Sequence, residues 1–483
     1  MNYPFWDVPL IGSGWVIGLI AIFHVMISHF AVGGGFYLPM AEAKALREGR
    51  EDWLRALRDH ARFFIILTGV FGAMSGVGIW FAIGLAHPES TSTLIHNFVF
   101  GWAIEWVFFI VELTAAAVYY YGWDKLPRRT HLIVGWIYAF CAWMSLVIIN
   151  GILTFMLTPG ASWLGAAGTG QEAAYFWQAF FNPTYFPSLV LRTLVCISMA
   201  GVYALITASR IDPIAEPQLK DELIRWSAKW LLPSFILVPV CFFWYLASVP
   251  ESQRALLNLG ISTIGQGTFT QVTRAATVVV MTSATILAFV YFSAWRNSRH
   301  FNLGRALCVL FLAFAATASA EHSREMLRKP FVIGEHMYSN GIRKQEVERF
   351  NREGYLANSM WLKTDVPPVS LRQVAFGREI GPETTANLAR GELMFRGQCL
   401  ACHTVEGYRP MARLLQGRDR QAIMAFLKTL HENKPDSPYR SYMPPLVGTP
   451  DEIEALADYL DAILNHNVKT RSGHIAQAGK TDF

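Results

Sequence analysis

Five residues late in the chain, Cys399-Leu-Ala-Cys402-His403, have the types and spacing to hold a heme covalently. Two thiols three positions apart add across the vinyl groups of one porphyrin, and the adjoining imidazole then falls beneath its iron. Forty residues on, Tyr442-Met443-Pro444-Pro445 offers a thioether in a turn stiffened by two prolines, which predicts Met443 as the ligand opposite His403. Methionine–histidine ligation raises a heme's reduction potential, so the chemistry predicted here is electron transfer.

Two helices must position that motif. Asn387 to Phe395 reads as an amphipathic helix, with Ala389-Arg390-Gly391 near its start. Asp451 to Leu464 reads as another, with Ile453, Leu456, Ala457 and Leu460 on one face. The stretch 385–466 resembles a class I cytochrome c over its whole length, which implies heme c and packing of the last helix on the first. Residues 336–384 are expected to form a linker, with a charged helical piece at Lys344–Glu353 and a Pro-containing piece at Asp365–Pro368. Residues 467–483 are expected to be a disordered tail. There is no internal repeat.

Before about residue 320 the chain has another character. Of its 483 residues 53% are hydrophobic and only 16% are charged, against about a quarter charged in soluble domains. Apolar blocks at 14–39, 63–86, 98–121, 132–157, 187–208, 231–249, 272–294 and 303–321 each reach the roughly 20 residues that cross a bilayer as helix. The fold class expected is all-α: a polytopic bundle of eight transmembrane helices with a C-terminal cytochrome c domain. Alternate loops carry the charge. Lys44, Arg47, Arg50, Arg55, Arg58, Arg62, Lys125, Arg128, Arg129, Arg210, Lys220, Arg225, Lys229, Arg296, Arg299 and Arg305 fall on one side, and Arg254 alone on the other. The positive-inside rule then puts both termini, and the heme c motif, outside a bacterial or archaeal cytoplasmic membrane, on the periplasmic side. The first block reads as a retained helix rather than a removable signal peptide. The net charge of +5 is dispersed over short loops and does not suggest nucleic-acid binding. Cys141, Cys196, Cys241 and Cys308 lie in apolar blocks, where a thiol acts as a small hydrophobe.

Ionisable residues within such helices are functional candidates by default. They are His24 and His29 in the first, Glu105 and Glu112 in the third, Arg192 in the fifth, Arg274 opening the seventh, and Glu321-His322 closing the eighth. By helix count His24, Glu105 and Glu321 share the outer half of the bundle. His29 sits some 140° around the helix from His24 and reads as a core histidine. Arg324 and Arg328 suit either heme propionates or the membrane interface.

Three stretches resemble subunit I of cytochrome bd-type oxidases. They are Phe23-His24 with Gly33; Phe100-Gly-Trp-Ala-Ile-Glu105, Glu112, Tyr121-Gly-Trp-Asp124-Lys125 and Asn150-Gly151; and Ala320-Glu321 with Arg328-Lys-Pro-Phe-Val-Ile-Gly-Glu335. The resemblance covers most of 1–335. It implies one or two membrane hemes, heme b and possibly heme d, with His24 on an iron and Glu105 and Glu321 ligating or tuning the neighbouring site. It also implies Glu112 on a proton path and a second membrane subunit as partner. The chain departs from that family at several points. Glu105 and Glu112 are seven apart where eight is expected. Arg192 or Leu191, and Ala276, stand where the family places the ligands of its low-spin heme, and neither guanidinium nor alkyl binds iron. The family's external quinol loop shrinks to about 250–271, and the cytochrome c stretch stands where its last helix would be. The resemblance with these departures implies an oxidase fed by a soluble periplasmic donor instead of quinol. An electron-transfer subunit without oxygen chemistry, and a bare membrane anchor for a cytochrome c, are the competing readings.

Overall fold

The computed structural model describes residues 10–251, 271–360 and 382–465, with residues 6, 8, 254, 258 and 362 singly. Most of the loop expected at 250–271, the Pro-containing piece at 365–368 and the tail at 467–483 lie outside them.

Among the described residues, eight helices are long and apolar enough to cross a membrane. They are α1 (Ser13–Glu48), α2 (Glu51–Ala86), α3 (Val99–Tyr121), α4 (Arg128–Leu157), α5 (Tyr185–Ala208), α6 (Pro217–Ser248), α7 (Gln271–Trp295) and α8 (Leu303–Arg328). Each contains its expected apolar block apart from one or two terminal residues, and several run on into the polar loops. A π-helical turn interrupts α2 at Leu67–Gly72, and another ends α7 at Val290–Trp295.

The chain divides into two compact units. One is Ile20–Gly78 with Ile95–Leu327, and the other is Met1–Leu19, Ile79–Leu94 and Arg328–Phe483.

The first unit is the helix bundle, and α1 lies at its centre for a steric reason. Side chains at Gly33-Gly34-Gly35 would collide with three different helices. A Cβ on Gly33 would lie 1.8 Å from Cys196 O of α5, on Gly34 2.6 Å from the Phe64 ring of α2, and on Gly35 2.6 Å from the Tyr138 ring of α4. Three bare positions in succession let α1 touch three neighbours at backbone distance. Around them pack Phe30, Trp53, Leu57, Ile224 and Leu205, all buried.

The basic loops close one end of this unit. Arg50 pairs with Glu222 at 2.7 Å, Arg55 with Glu216 at 3.2 Å, Arg58 with Asp124 at 2.6 Å and Arg128 with Glu51 at 2.5 Å. Ser298 bonds Asp221. The α1–α2, α3–α4, α5–α6 and α7–α8 connections are thus cross-tied at a common end, as the charge pattern requires.

The second unit centres on a crossing of α10 (Pro382–Gln398) and α12 (Pro450–Asn465), flanked by β1 (Phe331–Ile333), β2 (Met337–Tyr338), α9 (Val347–Glu353) and α11 (Arg420–Glu432). The expected helices at 387–395 and 451–464 are these two, each longer than its apolar face. Gly391 sets their approach, because its Cβ would lie 2.0 Å from Ala455 O and 2.6 Å from Tyr459 Cβ. The structure differs from expectation at 336–358. Tyr338, Ile342, Phe350 and Tyr355 are buried in one core with Met394, Phe395, Leu456 and Leu460, so this part of the supposed linker is folded. Glu452 holds it there. Its carboxylate accepts from the amides of Tyr355 (2.8 Å) and Leu356 (2.9 Å), and also from Thr449 N (2.9 Å) at the start of its own helix.

Gly391→Ala should therefore destabilise the second unit by at least the roughly 1–3 kcal/mol of core overpacking. Thermal unfolding followed by circular dichroism would show a melting point several degrees lower for this unit.

Candidate functional site

The motif Cys399-Leu-Ala-Cys402-His403 lies in the turn that ends α10. Both thiols are free. Burial pushes the Cys399 thiol up to about 12, with the Cys402 sulfur adding to it, so in the bare chain this sulfur stays protonated. Cys402 Sγ faces Lys329 Nζ at 3.7 Å and Ser339 Oγ at 3.9 Å. His403 Nδ1 lies 3.0 Å from Arg409 O. A carbonyl only accepts, so Nδ1 carries the hydrogen and Nε2 keeps its lone pair. Burial, the largest influence, lowers the His403 pKa, which favours this neutral form. The ring is in the state that an axial ligand needs.

Met443 is half-buried, with its amide bonded to Tyr439 O at 2.8 Å. Gln398, directly before Cys399, ties its loop to the motif. Gln398 Nε2 donates to Val447 O (2.8 Å) and its Oε1 accepts from Val447 N (2.9 Å). The sequence reading missed Gln398, since a glutamine at a helix end carries no signal until the partner strand is known. It also missed the turn at 8–12. Tyr408 N donates to Leu10 O (2.8 Å), Trp15 packs edge-on against Tyr408, and a side chain at Gly407 would strike Leu10 O. The loop after the Cys399–His403 motif is thereby bonded to the turn before α1.

In the bundle, His24 Nδ1 lies 3.0 Å from Ser75 Oγ. The Ser75 hydroxyl has one hydrogen and donates it to Phe71 O (2.6 Å) or Gly72 O (3.0 Å). It must then accept from His24 Nδ1–H, which leaves Nε2 free to ligate. Gly76 leaves room beside the ring, since its Cβ would lie 3.2 Å from His24 Cε1. His29 is buried and donates from Nδ1 to Val25 O at 2.8 Å, as a satisfied core histidine does. It is not isolated from the other candidates, however. Arg192, Glu321 and His24 are all close enough to act on its charge. Glu321 is gripped by Arg324 at 2.9 Å, and Arg192 and Tyr245 act on the same pair. This carboxylate is already engaged by guanidinium, which suits a counter-charge better than an iron ligand. Arg328 ends α8.

On α3, Glu112 accepts from Tyr138 Oη at 3.1 Å, and that hydroxyl also lies 3.2 Å from Ala31 O of α1. Glu105 is within electrostatic reach of Glu112 and has no hydrogen-bond partner among the described residues. His24, His29, Arg192, Glu321 and Arg324 form one neighbourhood, and Glu105 with Glu112 a second.

A family model described as cytochrome bd terminal oxidase subunit I matches residues 13–245. Residues 13–245 are thus similar to cytochrome bd terminal oxidase subunit I. Cytochrome bd-II ubiquinol oxidase subunit 1 of Escherichia coli (strain K12) is 26% identical over 182 residues, 37% of this chain and 34% of that protein. Cytochrome bd ubiquinol oxidase subunit 1 of Bacillus subtilis (strain 168) is 26% identical over 139 residues, 29% of this chain and 30% of that protein. The chain thus spans about a third of the length of the curated relatives it matches. The solved bd oxidase from Geobacillus thermodenitrificans superposes with a TM-score of 0.54 at 16% identity, covering 66% of this chain and 87% of that one. At that identity the likeness is one of fold. The bd-like fold accounts for the eight membrane helices, and the family match ends well before the heme c motif at 399–403.

Met443→Ala should lower the midpoint potential of the c heme by at least about 100 mV, a modest part of the ~0.8 V range over which axial ligands act. Potentiometric titration at the c-heme band tests it, and an unchanged potential would exclude Met443 as ligand. His24→Ala should abolish b-type absorbance while leaving the c spectrum intact.

Proposed function

We propose that this chain is a membrane-bound heme oxidoreductase that passes electrons between a c-type heme on Cys399 and Cys402 and hemes of b or d type in the bundle, and that it reduces oxygen. The observation that carries this reading is the tautomer of His403, directly after Cys402: Arg409 O fixes its Nδ1–H and leaves Nε2 with its lone pair. The residues fit the groups they would hold. His403 and Met443 would take the two axial positions of heme c, with Arg409 O orienting His403. His24, oriented by Ser75, would hold a membrane heme iron. Arg192 and Arg324 would face propionates, and Glu321 would balance their charge. The hemes, when bound, supply one-electron chemistry and a site for oxygen. Oxygen reduction consumes protons, and Glu112 with Tyr138 would deliver them, with Glu105 further along.

Arg192 and Ala276 offer no iron ligand, which supports loss of a quinol-side heme and entry of electrons through heme c. A soluble periplasmic protein would then be the donor, with the c domain outside. A second membrane subunit would cover apolar side chains that α3 leaves exposed, among them Phe100, Trp106 and Val107. Lipid would cover the remainder.

Pyridine hemochrome spectra of the purified protein should show heme c together with heme b or d. Oxygen uptake should start when an artificial one-electron donor reduces the c heme. Heme c alone would support an anchor, and membrane heme without oxygen uptake would support an electron-transfer subunit.

A further inference from the structure

We infer that a buried triad, Glu42, Tyr119 and His131, is the intake of the proton route to Glu112, at the end of the bundle closed by the basic loops. This rests on the oxygen-reducing reading above. Glu42 is 3% exposed, near the end of α1, in a part of the bundle where an acid has no cheap place. It is fully engaged. Tyr119 Oη donates to its Oε2 at 2.7 Å, and His131 Nδ1 lies 2.7 Å from its Oε1. His131 Nε2 donates to Tyr119 O at 2.8 Å. With Nε2–H fixed by a carbonyl, a single hydrogen remains to be shared between Nδ1 and Glu42. The hydrogen can sit on either side of the pair without changing its total charge.

The register of α3 and α4 aligns this triad with Glu112. Seven residues are two helical turns less about 20°, or roughly 10.5 Å. Glu105, Glu112 and Tyr119 are each seven apart, so they form one stripe on α3. Tyr138 and His131 are also seven apart on antiparallel α4. The upper rung is Glu112–Tyr138 and the lower is Tyr119–His131. A spacing of eight between the acids would turn them some 80° apart. A gap of about 10 Å between rungs is too long for one hop, and a cavity occupies it. Tyr119, Tyr138, Gly35, Pro39, Ala116 and Gly135 line it, and its surface is mostly apolar. Gly35 and Gly135 leave space for the two tyrosine rings there, since a Cβ would lie 2.6 Å from the Tyr138 ring and 2.9 Å from the Tyr119 ring.

Protons would pass from His131 and Glu42 to Tyr119 Oη, whose own hydrogen moves to a cavity water. That water protonates Tyr138 Oη, and Tyr138 gives its hydrogen to Glu112, with Ala31 O as the alternative acceptor between transfers. No electrons move in these steps.

Three variants of the full protein test the route, with heme content measured first. Glu42→Gln should cut oxygen uptake at least tenfold while leaving heme content and the rate of c-heme reduction unchanged. Tyr119→Phe should give a smaller loss. Ala116→Val, which fills the cavity and removes no polar group, should slow uptake about threefold. Wild-type uptake in a heme-replete Glu42→Gln protein overturns the inference. Should that variant lose heme, unchanged uptake in both others overturns it. A wild-type protein that takes up no oxygen refutes the oxidase reading instead. Redox-difference infrared spectra then decide the intake: a carboxyl band lost in Glu42→Gln keeps it as the route of charge compensation, and an unaltered spectrum overturns it.

Discussion

A carboxylate inside a lipid-surrounded bundle is stable only with a partner, and this requirement organises the membrane part of the protein. An uncompensated buried charge costs several kcal/mol. Three of the acids within the helices meet that cost in three ways. Glu42 shares a hydrogen with His131 and accepts another from Tyr119. Glu112 takes the Tyr138 hydroxyl. Glu321 is matched by Arg324, with Arg192 close by. The bare stretch Gly33–Gly35 brings α1 near enough to α4 and α5 for Tyr138 to reach Ala31 and Glu112 together. Chemistry and packing are therefore set by the same central helix.

The second unit solves a different problem, fixing the Cys399–His403 and Met443 loops by a few specific contacts. Gly391 sets the crossing of α10 and α12, Gln398 pins the Met443 loop to the end of α10, and Glu452 fastens the 354–356 segment. His403 receives its tautomer from a backbone carbonyl and His24 from a serine that has spent its only hydrogen. In both, the second nitrogen is left with its lone pair by the partner of the first.

Much of this was legible in the sequence, for physical reasons. Membrane spans follow from apolar length, and the common end of the loops from their arginines and lysines. Glu105, Glu112 and Glu321 stand out because acids are rare in such helices. Glu42 does not, because Lys44 and Arg47 follow it and it reads as one more interfacial charge; its partner is 89 residues away. The folded stretch 336–358 was read as linker because Tyr338, Ile342, Phe350 and Tyr355 follow neither a helical nor a strand period. Its core is completed only by α10 and α12. The arginine partner of Glu321 is legible only in the fold, where Arg324 pairs with it one turn on.

What would tie these parts into one function is the proposed direction of entry, in which electrons arrive through a heme on Cys399 and Cys402 and reach the bundle from there. Stopped-flow absorbance on the full protein, mixed with a soluble reductant, tests this most directly. Reduction at the c-heme band should come first and membrane-heme reduction second, and a Cys399→Ser, Cys402→Ser protein that keeps its membrane heme should lose the second phase. Membrane heme reduced as fast without the c heme as with it would contradict an electron port at this motif.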